Sequence, residues 1–404
     1  MDYILKNGYF PFVNEIQDVY IKDGLVEKVE KDIEPIDLDT QIIDLENRIV
    51  ISGFVDGHMH LDKALIGEKV INKSGTLYEA IEIMSKYKHS MTKEDVKERS
   101  KKILDLSFRN GTRFLRTHID VDDKIQLKSI EALLELKEEY KESMDIQIVA
   151  FPQDGIIKNS RSYFYLEEAL KMGADIVGGI PGIEEDPIKH MNMIFDLAMK
   201  YDVDIDMHID ETDDADSLII NDLARLTIAN GYIGRVTAGH CCSLSANEKE
   251  IILPIVELVK KAKINIISLP STNLYLQGRA DKINIRRGIA PVKYLLDHDI
   301  PVAIGSDNIR DPFNPFGNGN LLEEILIAAH GCHMGGEKDL NKLFDMVSII
   351  PGEALKFDYN IKEGNKANFI VIDAGTKVDS IIRQANIYGY FKNDIFGTNV
   401  INNQ

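Results

Sequence analysis

Several things are scarce in this 404-residue chain, and each scarcity excludes a class of protein. No run of about 18 uncharged apolar residues occurs, so no membrane-spanning helix is expected. The opening residues Met1-Asp2-Tyr3-Ile4-Leu5-Lys6 have neither a basic n-region nor an apolar h-region, so no secretory leader is expected. Cysteine is limited to Cys241, Cys242 and Cys332, with no Cys-x-x-Cys spacing. Adjacent cysteines rarely pair, so neither a disulfide framework nor a structural zinc site is expected, and the cytoplasm is the expected compartment. Basic residues are outnumbered 47 to 66, for a net charge of −19. Such a surface disfavours nucleic acid and anionic membranes and leaves a small-molecule substrate, neutral or cationic. No Gly-x-Gly-x-x-Gly follows an early strand, which removes support from a dinucleotide fold.

The length allows two or three domains, or one (β/α)8 barrel of roughly 250 residues with additions. Residues 1–48 and 359–404 are β-rich. Alternating runs at 18–22 and 25–29 flank Asp23-Gly24, a strong hairpin signal, and 367–373 and 385–390 read as further strands. The two ends are expected to form one small β-sandwich domain. Between them, residues 49–358 alternate apolar runs with helix-like stretches. Strands are expected at 50–55, 113–117, 146–151, 175–179, 204–207, 235–238, 264–269 and 302–305. The helices run over 93–109, 126–142, 165–172, 188–201, 217–230, 248–262 and 291–298. Eight strand-then-helix units with near-continuous apolar strands predict an α/β fold, a (β/α)8 TIM barrel.

The barrel's chemistry is expected at the C-terminal strand ends. The first strand runs into Gly57-His58-Met59-His60, and side chains two apart on an extended strand share a face. His58 and His60 can therefore offer two nitrogens to one metal ion. Later strand ends carry His118, Gln153, His208 with Glu211, His240, and Asp307. Five of the ten histidines fall at such tips. His58, His60, His208 and Asp307 make a donor set for one divalent cation, Zn2+ or Fe2+, with an open position for water. Asp307 would move a proton from that water to the leaving group. Glu211 would act as general acid, and His240 would hydrogen-bond the water or the forming oxyanion. Taken singly, each residue has a plainer reading. His118 is expected to be a packing residue, Asp307 could cap a helix before Ile309, and Glu211 could be a solvated loop acid. Cys241, Cys242, Met191 and Met193 read as core filling.

The order of these motifs resembles the amidohydrolase superfamily, and within it the cytosine deaminase family. Phe54-Val55-Asp56-Gly57-His58-Met59-His60-Leu61-Asp62-Lys63 is similar to the family's first-strand metal motif. Arg116-Thr117-His118-Ile119-Asp120-Val121, Gln147 to Gln153, Asp206 to Glu211, Leu276-Gln277-Gly278-Arg279, Arg286-Arg287-Gly288-Ile289 and Ser74-Gly75-Thr76-Leu77 match further family segments. The resemblance implies one metal ion, hydrolytic deamination of an aminated heterocycle and a homo-oligomer. It also implies substrate contacts from Gln153, Leu77, Asn308 and Phe313. Typical cytosine deaminases carry a second aspartate where this chain has Asn308, a histidine at Ser306 and a tryptophan near Phe313; this chain has no tryptophan. The stretch 306–311 with 315–319 is more similar to the triazine hydrolase that removes isopropylamine from N-isopropylammelide, which lacks the counterpart of Glu211.

The expected function is therefore metal-dependent deamination of cytosine or a closely related heterocycle, with isocytosine, creatinine-like and N-substituted triazine rings as alternatives. A non-catalytic barrel would have lost a ligand or the acid, and none is lost here. A cytidine-type zinc deaminase needs His-x-Glu with Pro-Cys-x-x-Cys, and neither occurs.

Overall fold

The computed structural model describes residues 2–35, 38–392 and 395–398. The last six residues of the C-terminal β-rich segment lie outside these. Five strands come first: β1 (Tyr3–Phe10), β2 (Glu15–Lys22), β3 (Leu25–Glu30), β4 (Gln41–Asp44) and β5 (Ile49–Ile51). Eight more follow: β6 (Phe54–Met59), β7 (Thr112–Asp120), β8 (Asp145–Phe151), β9 (Ile176–Gly179), β10 (Asp204–Ile209), β11 (Val236–His240), β12 (Asn265–Ser268) and β13 (Val302–Ile304). The last three are β14 (Phe369–Ile372), β15 (Ile387–Lys392) and β16 (Ile395–Thr398).

The terminal strands hydrogen-bond in the order β16-β15-β14-β5-β1-β2-β3, with β4 beside β1. Asp23 and Gly24 both have positive φ, 49° and 75°, as the expected two-residue hairpin turn requires. The β3 side of this path meets the segment before β14: Val26 N–H donates to Asn365 O at 2.9 Å and Gly364 N–H to Val26 O at 2.8 Å. The fold-back encloses Leu5, Val19, Ile21, Val50, Phe369, Val371 and Phe391 in one apolar cluster. Both chain ends thus build one small β layer.

The middle strands form an eight-stranded parallel barrel in strict sequence order, β6 to β13. Helices connect them. Their bounds lie close to the sequence expectation: Lys93–Arg109, Lys128–Tyr140, Pro187–Tyr201, Ile219–Ala229, Lys249–Ala262 and Val292–Asp297. The helix expected at 165–172 starts earlier, at Ser160, because its polar first turn hid the apolar period.

One expectation fails at the first strand. The apolar run 50–55 is two strands, not one. Ile49–Ile51 pairs with β14 in the terminal sheet, whereas Phe54 opens the barrel. Gly53 separates them at φ +140°, where an added Cβ would lie 2.4 Å from the Arg113 side chain. Both halves are fully buried, so hydrophobicity carried no sign of the break.

The barrel closes between its first and last strands through one parallel bridge, Met59 to Asp307. Asp307 N–H donates to His58 O at 2.8 Å, and His60 N–H donates to Asp307 O at 3.2 Å. Gly305 permits this approach, since a Cβ there would sit 2.7 Å from His58 O. Among the described residues no helix is long and apolar enough to cross a membrane.

Candidate metal and active centre

Strand β6 brings His58 onto the barrel axis, and the chain turns inward again at His60 just past its end. Strand β10 supplies His208 and β11 supplies His240, while Asp307 hangs from the closing bridge. All five side chains are buried. Asp307 has φ +57° in a loop rather than at the start of a helix, so its backbone role is in the barrel seam and not in a cap.

The donor atoms converge. His60 Nε2 lies 3.1 Å from His208 Nε2, Asp307 Oδ1 lies 3.4 Å from His60 Nε2, and Asp307 Oδ1 lies 3.6 Å from His58 Nε2. Ligands about 2.0–2.2 Å from a tetrahedral ion stand roughly 3.4 Å apart, so these three separations match edges of a coordination shell; His58 is shared between one donor cluster with His60 and Asp307 and a second with His208 and His240. His58 Nε2 and both Asp307 oxygens are buried without a hydrogen-bond partner in the protein. Buried groups of this kind are normally satisfied. The residues present fit a divalent cation.

Burial first, and then neighbouring imidazoles, holds His58, His60 and His208 well below the usual histidine range, with Lys63 adding to the effect at His58 and His60. They are neutral, with lone pairs free to coordinate. Burial also lowers His240, to about 3. Asn273 Nδ2 lies 3.0 Å from His240 Nδ1. With that amide donating, Nδ1 accepts, and the ring proton sits on Nε2, which is buried without a partner in the protein.

Glu211 follows β10 by two residues. Its Oε1 lies 3.6 Å from His240 Nδ1. Burial first, and then the nearby Asp307 carboxyl, push Glu211 well above the usual carboxylate range. It is not a solvated loop acid. Glu211 and His208 line one cavity of about 720 Å³ together with Leu77, Ile81, Lys124 and Asp154. Leu77 stands there because Thr76 caps its helix, accepting from Glu79 N–H at 3.3 Å.

Gln153 lies in the turn after β8, which Gly155 N–H closes onto Pro152 O, and is nearly fully buried; its Oε1 accepts from Lys63 Nζ at 3.0 Å. Asn308 turns its amide nitrogen onto Asp311 Oδ2 at 2.7 Å. Phe313 is buried, with Lys63 Nζ 5.8 Å from its ring centroid. His118 stacks on His58 with ring centroids 4.0 Å apart, and its Nε2 lies 3.2 Å from Asp206 Oδ1. Asp206 in turn holds Arg116 at 2.8 Å, a polar layer directly beneath the histidines. Cys241, Cys242 and Met191 are buried as expected, and Met193 is partly buried against the same core.

Sequence reasoning missed Lys63, Asp120, Asp206, Asn273 and Asp311. Lys63 and Asp120 lie inside the quoted motifs and were legible as charged residues at strand tips. Asp206 and Asp311 also lie inside quoted stretches, but away from a strand tip, and Asn273 lies outside all of them.

The amidohydrolase family profile matches residues 41–386. The chain is 33% identical over 401 residues to the N-isopropylammelide isopropyl amidohydrolase of Pseudomonas sp. (strain ADP), covering 97% of this chain and 96% of that protein. It is 31% identical to the pterin deaminase of Rhizobium rhizogenes, over 78% of this chain and 73% of that protein. The crystal structure of a 5-methylcytosine deaminase from Klebsiella pneumoniae liganded with 5-fluorocytosine superposes with a TM-score of 0.92 at 34% identity. The match covers 98% of this chain and 97% of that one.

Proposed function

This chain belongs to the amidohydrolase family, metal-dependent hydrolases of C–N bonds, and on that premise we propose that it deaminates cytosine or a closely related aminated oxo-heterocycle, releasing ammonia. In this reading His58, His60, His208 and Asp307 hold one Zn2+ or Fe2+ ion. A divalent ion there supplies Lewis-acid activation, lowering the pKa of water from 15.7 toward about 7. The protein's own groups do the rest. Asp307 accepts the proton that water loses as its oxygen adds to the amine-bearing carbon. Glu211 gives its proton to the adjacent ring nitrogen. His240 Nε2–H hydrogen-bonds the forming oxygen. Asp307 then passes its proton to the departing amine, and the hydroxyl proton restores Glu211. Gln153 and Leu77 position the ring, with Asn308 and Phe313 shaping the wall beyond.

The observation that carries this reading is Glu211. Its carboxyl stands on the cavity wall beside His208 and 3.6 Å from His240, and burial pushes it well above the usual carboxylate range, which suits it to protonating the ring of a cyclic amidine. The full-length likeness to a 5-methylcytosine deaminase supports the same ring class. A second reading is amine removal from an N-substituted triazine. It is favoured by the 33% relative and by a cavity of about 720 Å³, which has room for an N-alkyl group. Homo-oligomeric assembly and a cytoplasmic location belong to the proposal as well.

The deciding experiment is an amine-release screen of cytosine, 5-methylcytosine, isocytosine, creatinine and N-alkyl triazines, with metal quantified in the same preparation. Cytosine-class rings should give the highest kcat/KM. Release only from N-alkyl triazines would transfer the assignment to the second reading. His208→Ala or Asp307→Ala with near-wild-type turnover would overturn both.

A further inference from the structure

Lys63 lies three residues past His60 and is fully buried. Its ammonium donates to Asp120 Oδ1 at 2.5 Å and to Gln153 Oε1 at 3.0 Å. On its remaining sides stand the rings of Phe151 and Phe313, at 5.4 and 5.8 Å to their centroids. These rings offer only a cation–π contact and no competing acceptor. The lysine is also braced from behind. Asp120 Oδ2 lies 2.7 Å from Lys88 Nζ, which reaches Asp122 at 2.7 Å and Asp154 at 3.4 Å. Lys124 adds a further contact to Asp154 at 2.9 Å. The result is an alternating chain of charges running from the half-buried Lys124 and Asp154 on the cavity wall to the fully buried Lys88, Asp120 and Lys63.

An ammonium has only donors, and a glutamine amide has one accepting and one donating end. With Lys63 in place, the oxygen of Gln153 must face the lysine. The nitrogen then faces away, and only N–H can be offered to a bound ring. A free glutamine could rotate by 180° and offer either end. We propose that Lys63 is a positioning residue that locks Gln153 as a donor, so that the site selects heterocycles presenting an acceptor there, a ring carbonyl oxygen or an unprotonated ring nitrogen. Rings carrying an exocyclic amine in that place are rejected, because two donors would face each other in a buried site. This inference rests on the reading of Gln153 as a ring contact.

Lys63→Met tests it in the metal-loaded, full-length protein. Asp120 keeps Lys88 in that variant, so its carboxylate is not stranded. The readout is the ratio of kcat/KM for cytosine to that for 2,4-diaminopyrimidine, in which an amine replaces the ring carbonyl. A buried site built around a hydrogen bond discriminates strongly, so the wild-type ratio should exceed about 100. In Lys63→Met it should fall at least tenfold, and Lys63→Arg should restore most of it. A purely structural role would lower both values by one factor; an unchanged ratio therefore overturns the lock.

Should the wild type turn over neither ring, the functional reading fails, and the lock is decided on the ligand-free protein. The 15N-labelled side-chain amide of Gln153, assigned by its loss in Gln153→Glu, should give one sharp NH2 pair in the wild type and an exchange-broadened one in Lys63→Met. Identical signals in both proteins would overturn the proposal.

Discussion

Replacing Glu211 by glutamine isolates one step of the proposed chemistry. The side chain makes no hydrogen bond that the fold depends on; the neutral imidazole of His240 has its Nδ1 3.6 Å away. Its side chain is 11% exposed, so glutamine fits the same space without a cavity. It lies outside the proposed donor set of His58, His60, His208 and Asp307, so metal content should stay at one equivalent. Glutamine still donates a hydrogen bond to a ring nitrogen, which keeps ground-state binding and KM within a few-fold of wild type. It cannot deliver a proton. A positioned general acid contributes about 10²–10⁴-fold. In a site this enclosed we expect kcat to fall by about 10³-fold, which is ~4 kcal/mol at 1.36 kcal/mol per decade. The assay is ammonia release under saturating substrate, with metal and Tm measured on the same sample. A variant with full metal and kcat within fivefold of wild type would refute the assignment of Glu211 as the acid.

Three further outcomes are expected. Chelation should abolish activity and lower Tm, and adding back Zn2+ or Fe2+ should restore both; an ion present at 1,000 times its Kd stabilises by about 4 kcal/mol. If the chelated protein keeps its Tm, the ion is not held by the buried donors. Glu324 is buried, accepts from Ser271 Oγ at 2.9 Å, and is pushed up to about 8 by burial. Its raised pKa means the folded state holds a proton that the unfolded chain has released, so its contribution to stability is present below about pH 4.5 and is lost progressively up to about pH 8. The Tm of Glu324→Gln should therefore gain on wild type from pH 5 to pH 9, and parallel curves would contradict this. Gly53→Ala should cost at least about 2 kcal/mol in urea unfolding, since it adds strain at φ +140° to a clash with Arg113. A loss under 0.5 kcal/mol, on the scale of an ordinary surface change, would mean the two sheets can shift to accept it.

Much of the barrel was legible because its signal is periodic. Parallel strands buried on both faces read as plain apolar runs, and their connecting helices alternate with them at a regular spacing. The histidines were legible for a related reason: the residue type is uncommon, and His58, His60, His118, His208 and His240 fall just where those runs stop. What stayed hidden is pairing between residues far apart in the chain. The break at Gly53 could not be seen, because Ile51 and Phe54 are equally apolar and only their partners, β14 and β7, differ. The link from Lys63 to Gln153 spans 90 residues and that from Asn273 to His240 spans 33, and neither leaves a local pattern. Asn308 shows the converse. Its position beside Asp307 was read from the motif, but its amide nitrogen points to Asp311, three residues on.

The bridge at Asp307 joins two matters usually kept apart. Its backbone seals the first strand to the last, while its carboxylate faces the histidines. A slip of one residue along that seam would reverse the side chain and turn the carboxylate out of the barrel. A misregistered ring of strands would therefore lack its acidic donor, and a correctly registered one acquires it at the moment of closure. The pairing spans about 250 residues of intervening chain (Met59 to Asp307), among the costliest contacts for a folding chain to make. Competence for chemistry and completion of the ring thus arrive as a single event, and a half-assembled chain has no complete donor set with which to trap an ion prematurely.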